Sequence, residues 1–247
     1  MMNNVSLSVG YEDNSLIAQA KALASELHLP LDNQSFPRLS VTSDKLVLLI
    51  EGCSPLYADF HSQALSRRRE AGKAQGLIRA CKPKPGLKIL DATAGWGRDA
   101  ALLASFGAEV LMVERHPVMH ALLADALSCL NAEISVDDIQ KKSTHLKLSL
   151  IASDAKSYLQ QLSPDDYPDV IYIDPMHPTR QKSALVKKDM QIMQQLIGAD
   201  EDAEALLQVA IHCARQRVVV KWPQRLPPII PPNHSVQGKT VRFDVFL

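Results

Sequence analysis

The stretch Leu87–Ala100, LKILDATAGWGRDA, decides the fold. A short apolar strand, Leu87–Asp91, ends on an acid. Two glycines follow, Gly95 and Gly97, and a helical stretch, Gly97–Phe106, stops at Gly107. Glycine at such a strand-to-helix turn lets the backbone bend tightly and approach a ligand with no Cβ in the way. Taken alone, Gly95-x-Gly97-x-x-Ala100 also matches a dinucleotide-binding turn, so this loop points to a nucleotide-like cofactor without choosing one.

Working outward, strand and helix alternate. Glu109–Glu114 carries the unbroken apolar run VLMV of a strand buried on both faces. Pro117 opens a helix whose Met119, Leu122, Leu123, Ala126, Leu127 and Leu130 recur at helical spacing. Leu146–Ala152 reads as a strand, Ala155–Leu162 as a helix and Val170–Asp174 (VIYID) as a strand. Helices follow over Ser183–Ile197 and Ala203–Ala214, then strands over Val218–Lys221 and Val241–Leu247. Such alternation predicts an α/β fold with a mostly parallel sheet covered by helices. Residues 1–60 differ. VSLSVG, LVLLIEG and LYADF suggest two or three strands, with a helix near Leu16–Leu27. The expectation is a small N-terminal α/β lobe (1–60), joined through a basic helix around 62–81 to a main domain (61–247).

The 247 residues, 46% hydrophobic, suffice for a sizeable core. No apolar run reaches the roughly 20 residues of a membrane helix, and the first twenty residues, with Glu12 and Asp13, do not read as a secretory signal. Cys53, Cys81, Cys129 and Cys213 show neither CxxC spacing nor a His cluster. Reduced thiols, a cytoplasmic location, no membrane association and no metal are therefore expected. Lys plus Arg and Asp plus Glu both number 27, which argues against a general nucleic-acid coat protein. The charge is nonetheless sorted along the chain. Residues 67–88 hold eight basic groups against Glu70 alone, and Arg180, Lys182, Lys187 and Lys188 form a second basic group.

In sheets of this kind ligands bind beyond the carboxyl ends of the strands. Those positions hold Asp91–Asp99, Glu114–Arg115, Ser153–Asp154, Asp174–Pro178 and Lys221–Pro223. Asp91, four residues before Gly95, suits the ammonium of an amino-acid tail and would repel a pyrophosphate. This favours S-adenosyl-L-methionine over a nicotinamide cofactor. Glu114 suits ribose hydroxyls of either cofactor, and Asp154 suits an adenine amino group. Asp174-Pro175-Met176-His177-Pro178 resembles the Asp/Asn-Pro-Pro-aromatic loop of enzymes that methylate exocyclic amines. Asp174 and the carbonyl of Pro175 can accept the two N–H bonds of a weakly nucleophilic amine and align it, while a planar residue at 177 can stack on an unstacked base. A cysteine nucleophile, needed for carbon methylation of pyrimidines, is missing from the strand-end loops. An amino-methyltransferase on DNA adenine or a protein glutamine amide, a nicotinamide oxidoreductase and a non-catalytic RNA-binding module remain as alternatives on this reading.

DATAGWGRDA (91–100), VERHP (113–117), DPMHP (174–178), QKSALVKKDM (181–190), VVVKWP (218–223), RFDVF (242–246) and SRRREAG (66–72) together resemble the bacterial ribosomal small-subunit methyltransferase J family over most of residues 57–247. The resemblance implies a Rossmann-like class I methyltransferase fold with a seven-stranded sheet. It implies S-adenosyl-L-methionine held by Arg98–Asp99, Glu114–Arg115, Ser153–Asp154 and Asp174. It implies transfer to guanine N2 in 16S rRNA, free or within the 30S subunit. His177 departs from the Phe or Tyr usual in the family, and imidazole presents less stacking surface and can gain charge near neutral pH. Arg67, Arg68, Arg69, Arg180, Lys182, Lys187 and Lys188 are placed to meet RNA phosphates around the target base.

Overall fold

A period of two runs through the buried strands of the main sheet and sorts their side chains onto two faces. Ile89, Val110, Met112, Val170, Tyr172 and Val219 join one core, whereas Leu90, Val113, Ile171, Ile173, Val218 and Val220 join the other. Both faces are covered, which is why these strands are apolar throughout. The computed structural model describes residues 7–61, 63–137, 146–176, 197–198 and 202–247.

The N-terminal part holds β1 (Ser8–Tyr11), α1 (Ile17–Glu26), β2 (Arg38–Val41) and β3 (Leu46–Leu49). β1 and β2 pair in parallel across α1, and β3 returns antiparallel to β2. Then come α2 (Gln63–Ala71), α3 (Gly76–Cys81), β4 (Lys88–Asp91), α4 (Arg98–Ala104), β5 (Glu109–Glu114), α5 (Pro117–Asp137), β6 (Lys147–Ala152), α6 (Ala155–Gln161) and β7 (Val170–Ile173). The chain closes with α7 (Ala203–Cys213), β8 (Arg217–Pro223), β9 (His234–Gln237) and β10 (Val241–Phe246). The seven-stranded sheet runs β6-β5-β4-β7-β8-β10-β9, with β10 antiparallel to both neighbours and the remaining pairs parallel. Strand order reverses between β4 and β7, so a crevice opens beyond their carboxyl ends.

The apolar stripe of α5 divides between two partners. Val118, Met119 and Leu122 pack with Val9, Leu39 and Leu48 of the N-terminal sheet, while Leu123, Ala126 and Leu130 face the main sheet. The Leu46 N–H donates to Asp125 on α5 at 2.8 Å and adds a polar tie. Trp96 of the glycine loop packs against both cores.

The structure corrects two local expectations and adds a strand that the sequence pattern does not announce. LYADF is no strand: only Leu56 bridges to Leu48, and Ala58 and Phe60 run on into the main core. The basic helix around 62–81 is broken by a turn at Gly72, whose φ of 53° no helix interior tolerates, into α2 and α3. β9 was not foreseen, because only Val236 of its four residues is buried and an edge strand so polar reads as loop. The expected helix Ser183–Ile197 lies, apart from Ile197, outside the described residues.

Candidate cofactor and acceptor site

β4 ends at Asp91, and the following turn is pinned from both sides. Ala92 N–H donates to the carbonyl of Tyr172 at 2.9 Å, and Ala94 N–H to that of Val113 at 3.3 Å. Gly97 caps α4 with φ 67°, and a Cβ there would lie 2.7 Å from the Phe60 ring and 2.9 Å from Leu123. Both backbone angle and space therefore require glycine. Gly95, φ 54°, has room for a Cβ, with Thr93 O the nearest atom at 3.8 Å. What recommends glycine at 95 is the left-handed backbone and an unobstructed approach to the crevice.

The strand-end acids converge there. Glu114 is buried, its Oε2 accepting from Gly95 N–H at 2.9 Å and its Oε1 from His116 N–H at 2.8 Å. A carboxylate at this strand end, which accepts only, suits ribose hydroxyls. Asp154 caps α6, taking the Ser157 N–H at 2.8 Å and its hydroxyl at 2.7 Å. Ser153 beside it donates its N–H to the Glu114 carbonyl at 3.1 Å. Arg98 and Arg115 are exposed at the rim, with Arg115 ion-paired to Asp202 at 3.1 Å. The Asp174 N–H donates to Thr93 Oγ1 at 2.6 Å, which locks the end of β7 to the glycine loop.

Asp99 is the hub of a charged chain. Its Oδ1 meets the Arg68 guanidinium at 2.6 Å; its Oδ2 accepts from Tyr172 OH at 2.7 Å and from Lys221 Nζ at 3.3 Å. Lys221 Nζ also reaches Asp174 Oδ2 at 2.7 Å. Burial pushes the Asp99 carboxyl upward, but the cations Lys221 and Arg68, with the Tyr172 hydroxyl, outweigh it and hold the group below the usual range. Tyr172 is driven well above the ordinary phenol value by burial and the surrounding acids. Among the described residues no such cation stands beside Asp91. It is 1% exposed, accepts the Thr93 N–H at 3.2 Å, and burial together with Asp99, Asp174 and Glu114 pushes it up to about 8 against that one bond.

These groups line one cavity of about 400 Å³. It gathers Asp91, Gly95, Arg98, Asp99, Glu114, Arg115, Ser153, Asp154, Asp174 and Pro175, with Gly97 buried behind it at the start of α4. His177, Arg180, Lys182, Lys187 and Lys188 lie outside the described residues. The three α2 arginines part company: Arg67 and Arg69 are exposed, whereas Arg68 lines the cavity and binds Asp99. Sequence reasoning places Thr93 and Lys221 among the strand-end positions without giving either a role, and misses Tyr172. A tyrosine inside a buried strand, whose hydroxyl needs a partner, and a lysine at a strand end were the available signals.

The donor set fits S-adenosyl-L-methionine. A buried carboxyl with no cation beside it among the described residues suits an ammonium, Glu114 stands at the next strand end, and Val113, Met119, Ala155 and Leu206 supply apolar wall for a purine. A class I methyltransferase is the class that this strand order and this site define.

Comparison with known proteins agrees. Residues 22–247 match the family described as "Putative SAM-dependent methyltransferase". Ribosomal RNA small subunit methyltransferase J of Legionella pneumophila (strain Lens) is 58% identical over 246 residues, covering 100% of this chain and 98% of that protein. Its namesake in Coxiella burnetii (strain Dugway 5J108-111) is 43% identical over 257 residues, covering 99% and 98%. A solved SAM-dependent methyltransferase from Neisseria gonorrhoeae superposes with a TM-score of 0.71 at 27% identity, over 97% of this chain and 95% of that one. The chain belongs to the ribosomal RNA small subunit methyltransferase J family of SAM-dependent methyltransferases. The nicotinamide reading of the glycine loop falls away with it.

Proposed function

We propose that the chain transfers the methyl group of S-adenosyl-L-methionine to the exocyclic N2 of a guanine in 16S rRNA of the small ribosomal subunit. The observation that carries this is the placement of Asp174 and Pro175 on the wall of the cavity that Asp91–Asp99 also line. The names of the relatives at 58% and 43% identity supply the RNA and the subunit.

Bound S-adenosyl-L-methionine supplies an electrophilic methyl carried on a positively charged sulfur. The protein's part is to bind and to align. Asp91 would receive the ammonium of the amino-acid tail, Glu114 the ribose hydroxyls and Ser153–Asp154 the purine, with Arg98 and Arg115 at the rim. The Asp174 carboxylate and the Pro175 carbonyl accept the two N–H bonds of the guanine amine and turn its lone pair toward the methyl. The new N–C bond would form as the methyl's bond to sulfur breaks, leaving the neutral thioether, and one proton would leave nitrogen along the hydrogen bond to Asp174 and pass to water. His177 stacks on the base. Arg67, Arg69, Arg180, Lys182, Lys187 and Lys188 meet the flanking phosphates, a contact whose strength falls with salt. None of the four cysteines lines the cavity, which favours amine over carbon methylation.

Among the described residues no helix is long and apolar enough to cross a membrane, and we place the enzyme in the cytoplasm with its RNA. We propose residues 1–60 as an N-terminal lobe, its strands β1–β3 packed on α5 and its Ala58 and Phe60 already reaching the main core, and residues 61–247 as the methyltransferase domain. The test is transfer of isotope-labelled methyl to 30S subunits and to free 16S rRNA from a strain lacking the gene. Label recovered on guanine N2, lost in Asp174→Asn, supports the reading. Cofactor binding without transfer to either RNA rejects it in favour of a non-catalytic module.

A further inference from the structure

Among the described residues six acids line the cavity, Asp91, Asp99, Glu114, Asp154, Asp174 and Asp202, and one lysine, Lys221, is threaded between two of them. The β7–β8 ladder pairs Ile173 with Val220, so Asp174 and Lys221 are the next positions on adjacent parallel strands. The Lys221 side chain is 29% exposed and its ammonium bridges Asp174 Oδ2 at 2.7 Å and Asp99 Oδ2 at 3.3 Å. Asp99 is itself fixed from the other side by Arg68 and Tyr172. The lysine is thus anchored at one carboxylate and holds the other.

The geometry points to Lys221 as a positioning residue for methyl transfer, which fixes the Asp174 carboxylate at the acceptor end of the cavity and preserves its negative charge there. This rests on reading Asp174 as the group that receives the acceptor amine. The reason is electrostatic. Asp174 shares the cavity wall with the carboxyl groups of Asp91 and Asp99, whose like charge opposes its own, and a protonated carboxyl is a poorer acceptor for the amine N–H. A cation wedged between Asp99 and Asp174 offsets that pressure on both. Among the described residues the charged and titratable groups lining this cavity are Arg68 from α2, Asp91 from β4, Arg98 and Asp99 from α4, Glu114 from β5 with Arg115 after it, Asp154 at the start of α6, Tyr172 and Asp174 from β7 and its end, and Asp202 before α7. Burial alone would favour loss of the lysine's proton, but Asp99 and Asp174 outweigh it and hold the ammonium above its ordinary range.

The test is an NMR titration of aspartate carboxylate carbons in the full chain, for wild type, Lys221→Met, Lys221→Gln and Lys221→Arg. Asp99→Asn and Asp174→Asn assign the two signals. Because the two carboxylates share one cation, they are read as a coupled pair. The midpoints of the pair are expected to rise by about one pH unit or more, a tenfold effect, in the Met and Gln variants and to stay near wild type in Arg. The acid limb of kcat for 16S rRNA methylation is expected to move up with them, so that the loss of kcat grows as pH falls, with KM for RNA little changed. Unmoved midpoints in the neutral variants overturn the proposal. A kcat loss that is uniform across pH overturns it as well. If wild type methylates no small-subunit RNA, the substrate reading fails, and the carboxylate titration still decides the role of Lys221.

Discussion

The backbone N–H of Gly95 donates to Glu114 Oε2 over 2.9 Å, tying the glycine loop to the end of the next strand nineteen residues later. The other oxygen of Glu114 holds His116 N–H at 2.8 Å, so both backbone donors need a carboxylate. Glu114→Gln must turn an NH2 toward one of them, and a buried donor then loses its partner. We expect adenosylhomocysteine affinity to fall by about tenfold or more, roughly 1.4 kcal/mol, measured by calorimetry. Wild-type affinity in this variant would show that the loop does not depend on Glu114.

Asp91 gives a pH dependence with a definite sign. Folded, it ionises at about 8 because burial and three neighbouring acids disfavour its charge; an unfolded aspartate ionises near 3.9. Between these values the folded chain holds the extra proton, so this group's contribution to stability falls as pH rises from about 4 to about 8. Asp91→Asn cannot ionise. Without cofactor it should melt above wild type at pH 8, with the difference shrinking toward pH 4, while its affinity for adenosylhomocysteine drops. Wild type should also release protons on binding near pH 7, detectable by calorimetry in buffers of different ionisation enthalpy. A pH-independent difference in melting temperature contradicts this account.

The two loop glycines should fail differently. Gly97→Ala combines a left-handed backbone with a Cβ driven into Phe60 and Leu123, so strain and overpacking of about 2–4 kcal/mol are expected to lower the melting temperature strongly. Gly95→Ala meets nothing closer than 3.8 Å and should cost only about 1–2 kcal/mol of backbone strain. Its larger effect should be on cofactor affinity. Thermal melts with and without adenosylhomocysteine separate the two.

Tyr172→Phe removes the hydroxyl that donates to Asp99 at 2.7 Å inside the core. Leaving a largely buried carboxylate with one donor fewer should cost about 1–3 kcal/mol, or several degrees of melting temperature in a chain of this length. A melt unchanged within error would mean that Arg68 and Lys221 alone satisfy Asp99.

The sheet was legible because its signal is local. VLMV and VIYI announce strands covered on both sides, and the acids at their carboxyl ends follow from where such sheets bind ligands. The hub around Asp99 was not, because its members lie 31, 73 and 122 residues away and meet only when β7, β8 and α2 are brought to one crevice. Arg68 looked like one of three equivalent arginines, and a single helix face separates it from Arg67 and Arg69. Tyr172 read simply as a buried strand residue. The stripe on α5 read as one face, since helical spacing alone cannot say that two neighbouring sheets divide it.

The central claim is the identity of the methyl acceptor. Mass mapping of 16S rRNA from a strain lacking this gene, beside the same strain carrying wild type or Asp174→Asn, tests it most directly. The account expects one guanine to lose its N2 methyl, wild type to restore it and Asp174→Asn to leave it missing. A 16S rRNA with every methyl in place in the deleted strain would contradict it.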